Sequence, residues 1–254
     1  MTDQSCCDLP RTQHLNFYEP DAEVSRLEFR LTYQGPLRAE QRGIETGATG
    51  RATDKHRLRK HFHLQMRELW KQHPDLRNQS EQRYYKYTTA ENLVSSPGPG
   101  VKCVSRALEG DTTAKTWLEH IAEDHARCGG NFVPLIRESG GFTCSLDILF
   151  LRRDNPGSLI ANGGDIDNRI KVLFDGLRMP KTVAELGGLP IDPDENPFFC
   201  LLEDDQLITS ITVTTDRLIT PRGSEENIND VYLVIHVTVL NPSQLRIRPS
   251  AGSL

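Results

Sequence analysis

Two acidic clusters carry the chemistry open to this sequence. The first is Gly164-Asp165-Ile166-Asp167-Asn168-Arg169-Ile170-Lys171, with Asp175 one helical turn further on. The second is Glu203-Asp204-Asp205, directly after the apolar run Phe198-Phe199-Cys200-Leu201-Leu202. A set of carboxylate oxygens suits Mg2+ or Mn2+ rather than zinc. Gathering Asp204 and Asp205 against Asp165 and Asp167 would be strongly unfavourable unless a cation neutralised them. Such a cation activates water towards a phosphodiester and stabilises charge on the leaving oxygen, while a lysine such as Lys171 contacts the phosphate.

Two plainer readings compete. An aspartate at a helix start serves as an N-cap and meets the positive end of the helix dipole. Asp167, Lys171 and Asp175 also stand at i, i+4 spacing, so on spacing alone a solvated salt-bridge ladder explains them equally well. The second acidic cluster, placed where an apolar run ends, tips the reading towards a cation site. Zinc has less support: the six cysteines include no C-x-x-C pair, and no two of His56, His61, His63, His120 and His125 stand four apart.

The elements that must position these residues follow from periodicity. Residues 25–33 alternate as a half-buried strand, with Leu27, Phe29, Leu31 and Tyr33 on one side. A Gly-rich loop should follow over 34–51, carrying Arg38 and Arg42. Leu58, Phe62, Met66 and Trp70 predict an amphipathic helix over 55–71, whose other face carries Arg57, Lys60 and Arg67. Residues 75–100 have linker composition, and 112–128 reads as a second helix stopped by Gly129-Gly130. A strand is expected over 142–151, apolar on both faces at its far end and ending at Arg152-Arg153. Next come a helix from Asp167 with Ile170, Leu173, Phe174 and Leu177 on one stripe, a Pro- and Asp-rich loop over 187–197, and strands over 207–213 and 231–240. This order describes an α+β domain with a small mixed sheet and helices on one face. It spans 24–240, with insertions at about 75–130 and 179–198 and tails at 1–23 and 241–254.

Composition limits the function. With 37% hydrophobic and 26% charged residues the 254-residue chain reads as globular. It shows neither a secretory signal nor an apolar run of the roughly 20 residues a membrane span needs, so a cytoplasmic protein is expected. A net charge of −5 argues against a general nucleic-acid binder. The charge is unevenly spread, however. Ten basic side chains face four acidic ones between Arg51 and Lys86, while 192–205 is strongly acidic.

Asp165-Ile-Asp167-Asn168-x-x-Lys171-x-x-x-Asp175-x-Leu177, followed by an apolar approach to Asp204-Asp205-x-x-Ile208, resembles the RusA family of Holliday junction resolvases. The resemblance is strong over about 142–240 and architectural before that. It implies a Mg2+-dependent endodeoxyribonuclease, with Mn2+ as an alternative metal. Asp165, Asp167 and Asp205 would be its catalytic metal ligands, Asp204 a further ligand or its support, and Lys171 the phosphate contact. Asn168 and Asp175 would take supporting roles. It also implies a homodimer matched to the near two-fold symmetry of a four-way junction. The DNA contacts would fall to Arg38, Arg42, Arg57, Arg59, Lys60, Arg67, Arg152 and Arg153. The chain is about twice as long as a typical member, so the insertions could serve a protein partner. Two alternatives stay open: a nuclease of the same fold acting on foreign or phage DNA within a multi-protein system, and a non-catalytic DNA-binding or assembly module.

Overall fold

Period-two alternation builds the central sheet, and long-range docking builds most of what surrounds it. The computed structural model describes residues 27–38, 48–88, 102–107, 111–153, 165–219 and 230–240. The expected tails and Arg42 lie outside these residues. In chain order the elements are β1 (Glu28–Pro36), α1 (Ala48–Gln72), α2 (Pro74–Glu81), β2 (Arg83–Thr88), β3 (Lys102–Arg106), β4 (Lys115–Thr116), α3 (Trp117–Asp124), β5 (Ala126–Arg127), β6 (Gly130–Ile136), β7 (Thr143–Arg152), α4 (Asp165–Leu177), β8 (Phe198–Leu202), β9 (Ile208–Arg217) and β10 (Asp230–Leu240). Short 3-10 turns lie at Val183–Leu186, Pro193–Glu195 and Asp205–Leu207.

The architecture is α+β with small mixed sheets. The largest has the order β1-β10-β7-β9, antiparallel except for the parallel β7/β9 pair. Strand β7 is interior, in keeping with its apolar far end. Cys144, Leu146, Ile148 and Phe150 of β7 and Val231, Leu233, Ile235 and Val237 of β10 are fully buried on one face. They share a core with Leu58, Phe62, Met66 and Trp70 of α1 and with Ile170, Leu173 and Leu177 of α4. Alternate residues of β10 are only half-buried, so the opposite face stays nearer to solvent.

A second small sheet, β5-β6-β8, was not legible from periodicity. Pro134 interrupts β6 and weakens its strand signal. It is tolerated because β5 reaches only Gly130 and Asn131. Strand β8 pairs in parallel with β6, and all five of its residues are buried, as a parallel strand covered on both faces requires.

Three expectations are corrected. Helix α1 begins at Ala48, inside the expected loop, because its first turns dock on the 183–187 segment. The Thr53 hydroxyl donates to the Gly187 carbonyl at 2.7 Å. Gly187 is left-handed (φ 59°) and packs so close that a Cβ would lie 2.1 Å from the Thr53 nitrogen. Residues 74–88, expected as linker, form α2 and β2, the strand pairing with both β3 and β4. Finally, the expected helix over 112–128 shortens to α3. Its start is a capping box in which Thr116 accepts from the Glu119 N–H at 3.2 Å and the Glu119 carboxylate accepts from the Thr116 N–H at 2.6 Å. Among the described residues, no helix is long and apolar enough to cross a membrane.

Helix α1 also buries two imidazoles against β8. His63 tilts onto Phe198 at 4.4 Å between ring centroids, and His56 stacks on it at 6.0 Å. Nδ1 of His63 accepts the Phe199 N–H at 2.8 Å, so that nitrogen carries no proton. Burial, reinforced by neighbouring cations, lowers both residues from 6.5 to about 4. The unfolded chain therefore binds more protons than the folded one between these values, and stability falls as pH drops from 6.5 towards 4. Thermal melts should show Tm falling by at least several degrees between pH 7 and pH 4.5. A flat profile across that window would contradict the buried neutral state.

Candidate functional site

Helix α4 carries the first acidic cluster. Its apolar stripe of Ile170, Leu173 and Leu177 is buried, and the buried guanidinium of Arg169 donates to the Leu37 carbonyl. This seating turns Asp167 and Lys171 outward, where they form an ion pair at 2.7 Å with side chains about 60% exposed. Asn168 is half-buried between them in sequence. Asp165 is the first helical residue, and its side chain lies outside the described set. The salt-bridge ladder is half realised: Asp175 turns from Lys171 to Lys55 of α1 at 2.8 Å and to Arg178 at 2.5 Å. Burial opposes the charge on Asp175, but these cations outweigh it and hold the carboxyl below its ordinary range.

Strand β8 delivers the second cluster from the core to the surface. The Glu203 N–H donates to the Ile136 carbonyl at 2.9 Å, and the Glu203 carboxylate accepts the Glu138 N–H at 3.0 Å, so Glu203 serves the β6–β8 connection. Asp204 caps the turn at Asp205–Leu207 by accepting the Gln206 N–H at 3.1 Å. Lys181 stands 2.7 Å from Asp204 and 3.9 Å from Asp205. Burial would raise Asp204, but hydrogen bonds from Lys181, Asp205 and the Gln206 N–H bring it down to about 2. Asp205 moves the other way, raised by burial and by its hydrogen bond to Asp204. Sequence reasoning missed Lys181, which belongs to no periodic pattern and follows Pro180 in a loop.

The two halves are carried by neighbouring elements. Helix α4 packs against the turn at Asp205–Leu207. The end of α4 is tied to the end of β8, where the Met179 N–H donates to the Leu202 carbonyl at 3.0 Å. Among the described residues, no group of three or more His, Cys, Asp or Glu side chains is placed to hold a metal ion. The described carboxylates by themselves thus make no metal-binding group, and Asp165, whose side chain lies outside the described set, is not counted among them. Asp167 and Asp204 each face a lysine instead.

The expected DNA contacts divide sharply. Arg38 is exposed, and Arg57 is exposed with Asp54 at 3.7 Å. Arg152 is buried and Arg153 half-buried at the end of β7. Arg59 is a correction: its side chain is 1% exposed and reaches inward to Glu185 at 2.9 Å and to the Arg178 carbonyl at 3.1 Å. Lys60 binds Asp192 at 2.8 Å and Glu195 at 2.7 Å, and Arg67 donates to the Asp194 carbonyl at 3.3 Å. Burial works against Lys60, but its two carboxylate partners raise it above its ordinary value. Much of the basic face of α1 is thus turned to the acidic 185–195 segment and not to solvent. Cys144 and Cys200 are buried thiols pushed up to about 12, which excludes them as nucleophiles.

No protein-family model, curated protein or solved structure matches the chain.

Glu185 also accepts Arg178 at 3.0 Å and so separates two nearly buried guanidinium groups. Glu185→Gln should destabilise the protein by about 3 kcal/mol, because it leaves the buried Arg59 with no carboxylate among the described residues and Arg178 with Asp175 alone. Asp192→Asn, at an exposed ion pair, should cost less than about 1 kcal/mol. Urea denaturation of the two variants checks this, and equal effects would remove Arg59 and Arg178 from the structural core.

Proposed function

We propose that this protein is a RusA-like structure-selective endonuclease that hydrolyses phosphodiester bonds in branched DNA, with Mg2+ or Mn2+ as its cofactor. One observation carries the reading. The two halves of the acidic motif, far apart in sequence, sit on α4 and on the turn at Asp205–Leu207, which pack against each other. The resemblance in motif spacing supplies the reaction class. In this reading Lys171, exposed one turn after Asp167, meets the phosphate, and Asp167, Asp204 and Asp205 with Asp165 are the acidic centre. These carboxylates would hold the cation, which would supply charge neutralisation at that centre. A homodimer would present two such centres to the two equivalent strands of a junction.

A second reading, a non-catalytic DNA-binding or assembly module, draws on the internal pairing of Asp167 with Lys171 and Asp204 with Lys181. Action on foreign DNA within a larger assembly remains a third use of the same site.

The purified protein should cut a synthetic four-way junction in Mg2+ and leave it intact in EDTA. Asp167→Asn and Asp205→Asn should each lower the rate by ~100-fold or more, with unchanged melting temperatures, since both side chains are exposed. Paired symmetric nicks confined to the four-way junction would indicate a resolvase. Degradation of duplex, flap and single-stranded DNA alike would favour a nuclease directed at foreign DNA. No cleavage of any substrate would leave only the module, and equal cleavage by the variants would remove the acidic centre from the reaction.

A further inference from the structure

Lys181 stands beside the second acidic cluster because the chain just before it is pinned to the end of β8. Arg178 forms a parallel bridge with Leu202, and the Met179 N–H donates to the Leu202 carbonyl at 3.0 Å. All three residues are buried. Two positions after Met179 comes Lys181 and two after Leu202 comes Asp204, so the parallel bridge sets them side by side. Their side chains then meet. Lys181 Nζ lies 2.7 Å from Asp204 Oδ2 and 3.9 Å from Asp205 Oδ1, which places one ammonium at both carboxylates. Arg178 is itself held, its carbonyl accepting from Arg59 at 3.1 Å and its guanidinium bound to Asp175 and Glu185. The approach of Lys181 is thus a product of the buried network around it.

The contact is built so that it can change partners. Asp204 divides its oxygens: Oδ1 accepts the Gln206 N–H at 3.1 Å and caps the turn, while Oδ2 faces Lys181. Exchange at Oδ2 leaves the cap intact. The side chains of Lys181 and Asp205 are 45% and 42% exposed, so this ion pair is solvated and weak. Oxygens of neighbouring carboxylates are also the donor chemistry of Mg2+ and Mn2+, the cations of the nuclease reading. An ammonium at the same oxygens competes with them. The apparent affinity for the cation falls with the fraction of time that the oxygens are occupied.

We propose that Lys181 is the resting counter-ion of the Asp204–Asp205 pair and gives way to the divalent cation, so that the segment between α4 and β8 regulates metal binding at the proposed site. The proposal rests on the nuclease reading for the cation and on the placement of Lys181 for the competition. It also gives a role to the insertion at 179–198, near whose start Lys181 stands.

The test is titration of Mn2+ into the full chain without nucleic acid, with unbound Mn2+ read from its paramagnetic resonance signal. The native protein is compared with Lys181→Gln, Lys181→Arg, Asp205→Asn and Arg57→Gln, the last removing an exposed charge on α1 outside this pair. Binding is expected to tighten about threefold or more in Lys181→Gln, to stay near native in Lys181→Arg and Arg57→Gln, and to weaken about tenfold or more in Asp205→Asn. All should melt like the native protein, since each replaced side chain is well exposed. Unchanged or weaker binding in Lys181→Gln, or tightening as large in Lys181→Arg or Arg57→Gln, would overturn the proposal. If Asp205→Asn still weakened binding in that case, the nuclease reading would stand without it. Absence of saturable Mn2+ binding in all of these proteins would end that reading and the proposal with it.

Discussion

The buried guanidinium of Arg59 is the constraint on which the region around the candidate site depends. A side chain with five donors cannot be left in the interior without acceptors. Glu185 and the Arg178 carbonyl supply them, and both belong to the stretch that leaves α4. Satisfying Arg59 therefore fixes the path of the chain after Leu177. That path brings Gly187 onto Thr53 and Lys181 to Asp204. The start of α1, the end of α4 and the acidic turn after β8 are held in one arrangement by charges that have nowhere else to go.

Much of the scaffold was legible because it depends on local pattern. Strands β1, β7, β9 and β10 follow from alternation, and α4 from its i, i+3, i+4, i+7 stripe; each lies within a few residues of its expected position. What escaped depends on partners distant in sequence. Strand β6 contains Pro134 and exists through its pairing with β8. Helix α2 buries a single apolar residue, Leu76, too little to show a stripe. Arg59 looked like one more cation on a basic helix, since nothing in its neighbourhood announces that Glu185 will reach it. At the site, the acidic residues and their exposure were readable from type and spacing, whereas Lys181 and the rotation of Asp175 towards Lys55 arise only from tertiary packing.

Charge distribution also takes on a different meaning in three dimensions. In sequence the chain has a basic helix followed much later by an acidic loop. In space the two lie against each other, with Lys60 between Asp192 and Glu195 and Arg67 at Asp194. The surplus of the 51–86 region is thus largely neutralised within the molecule, and the long-range field that would draw in a polyanion is weakened accordingly. Within the 51–86 region Arg57 and Arg77 stay exposed.

Magnitudes separate the carboxylates that are free to change partners from those that hold the fold. Asp167 and Lys171 are both more than half exposed, and Lys181 is 45% exposed beside Asp204. Pairs of this kind contribute about 0–1 kcal/mol, so a phosphate or a divalent cation can displace the lysine at small cost. Asp175 and Glu185 differ, because each compensates cations that have lost their water, and removing either leaves charge stranded. Of the acidic residues on α4, Asp167 is consequently available for exchange of partners, and Asp175 is committed to the structure. The same criterion applied to the turn after β8 leaves Asp204 and Asp205 available and assigns Glu203 to the scaffold. In the proposed nuclease reading, the acidic centre is thereby narrowed to the carboxylates whose present partners are weakest.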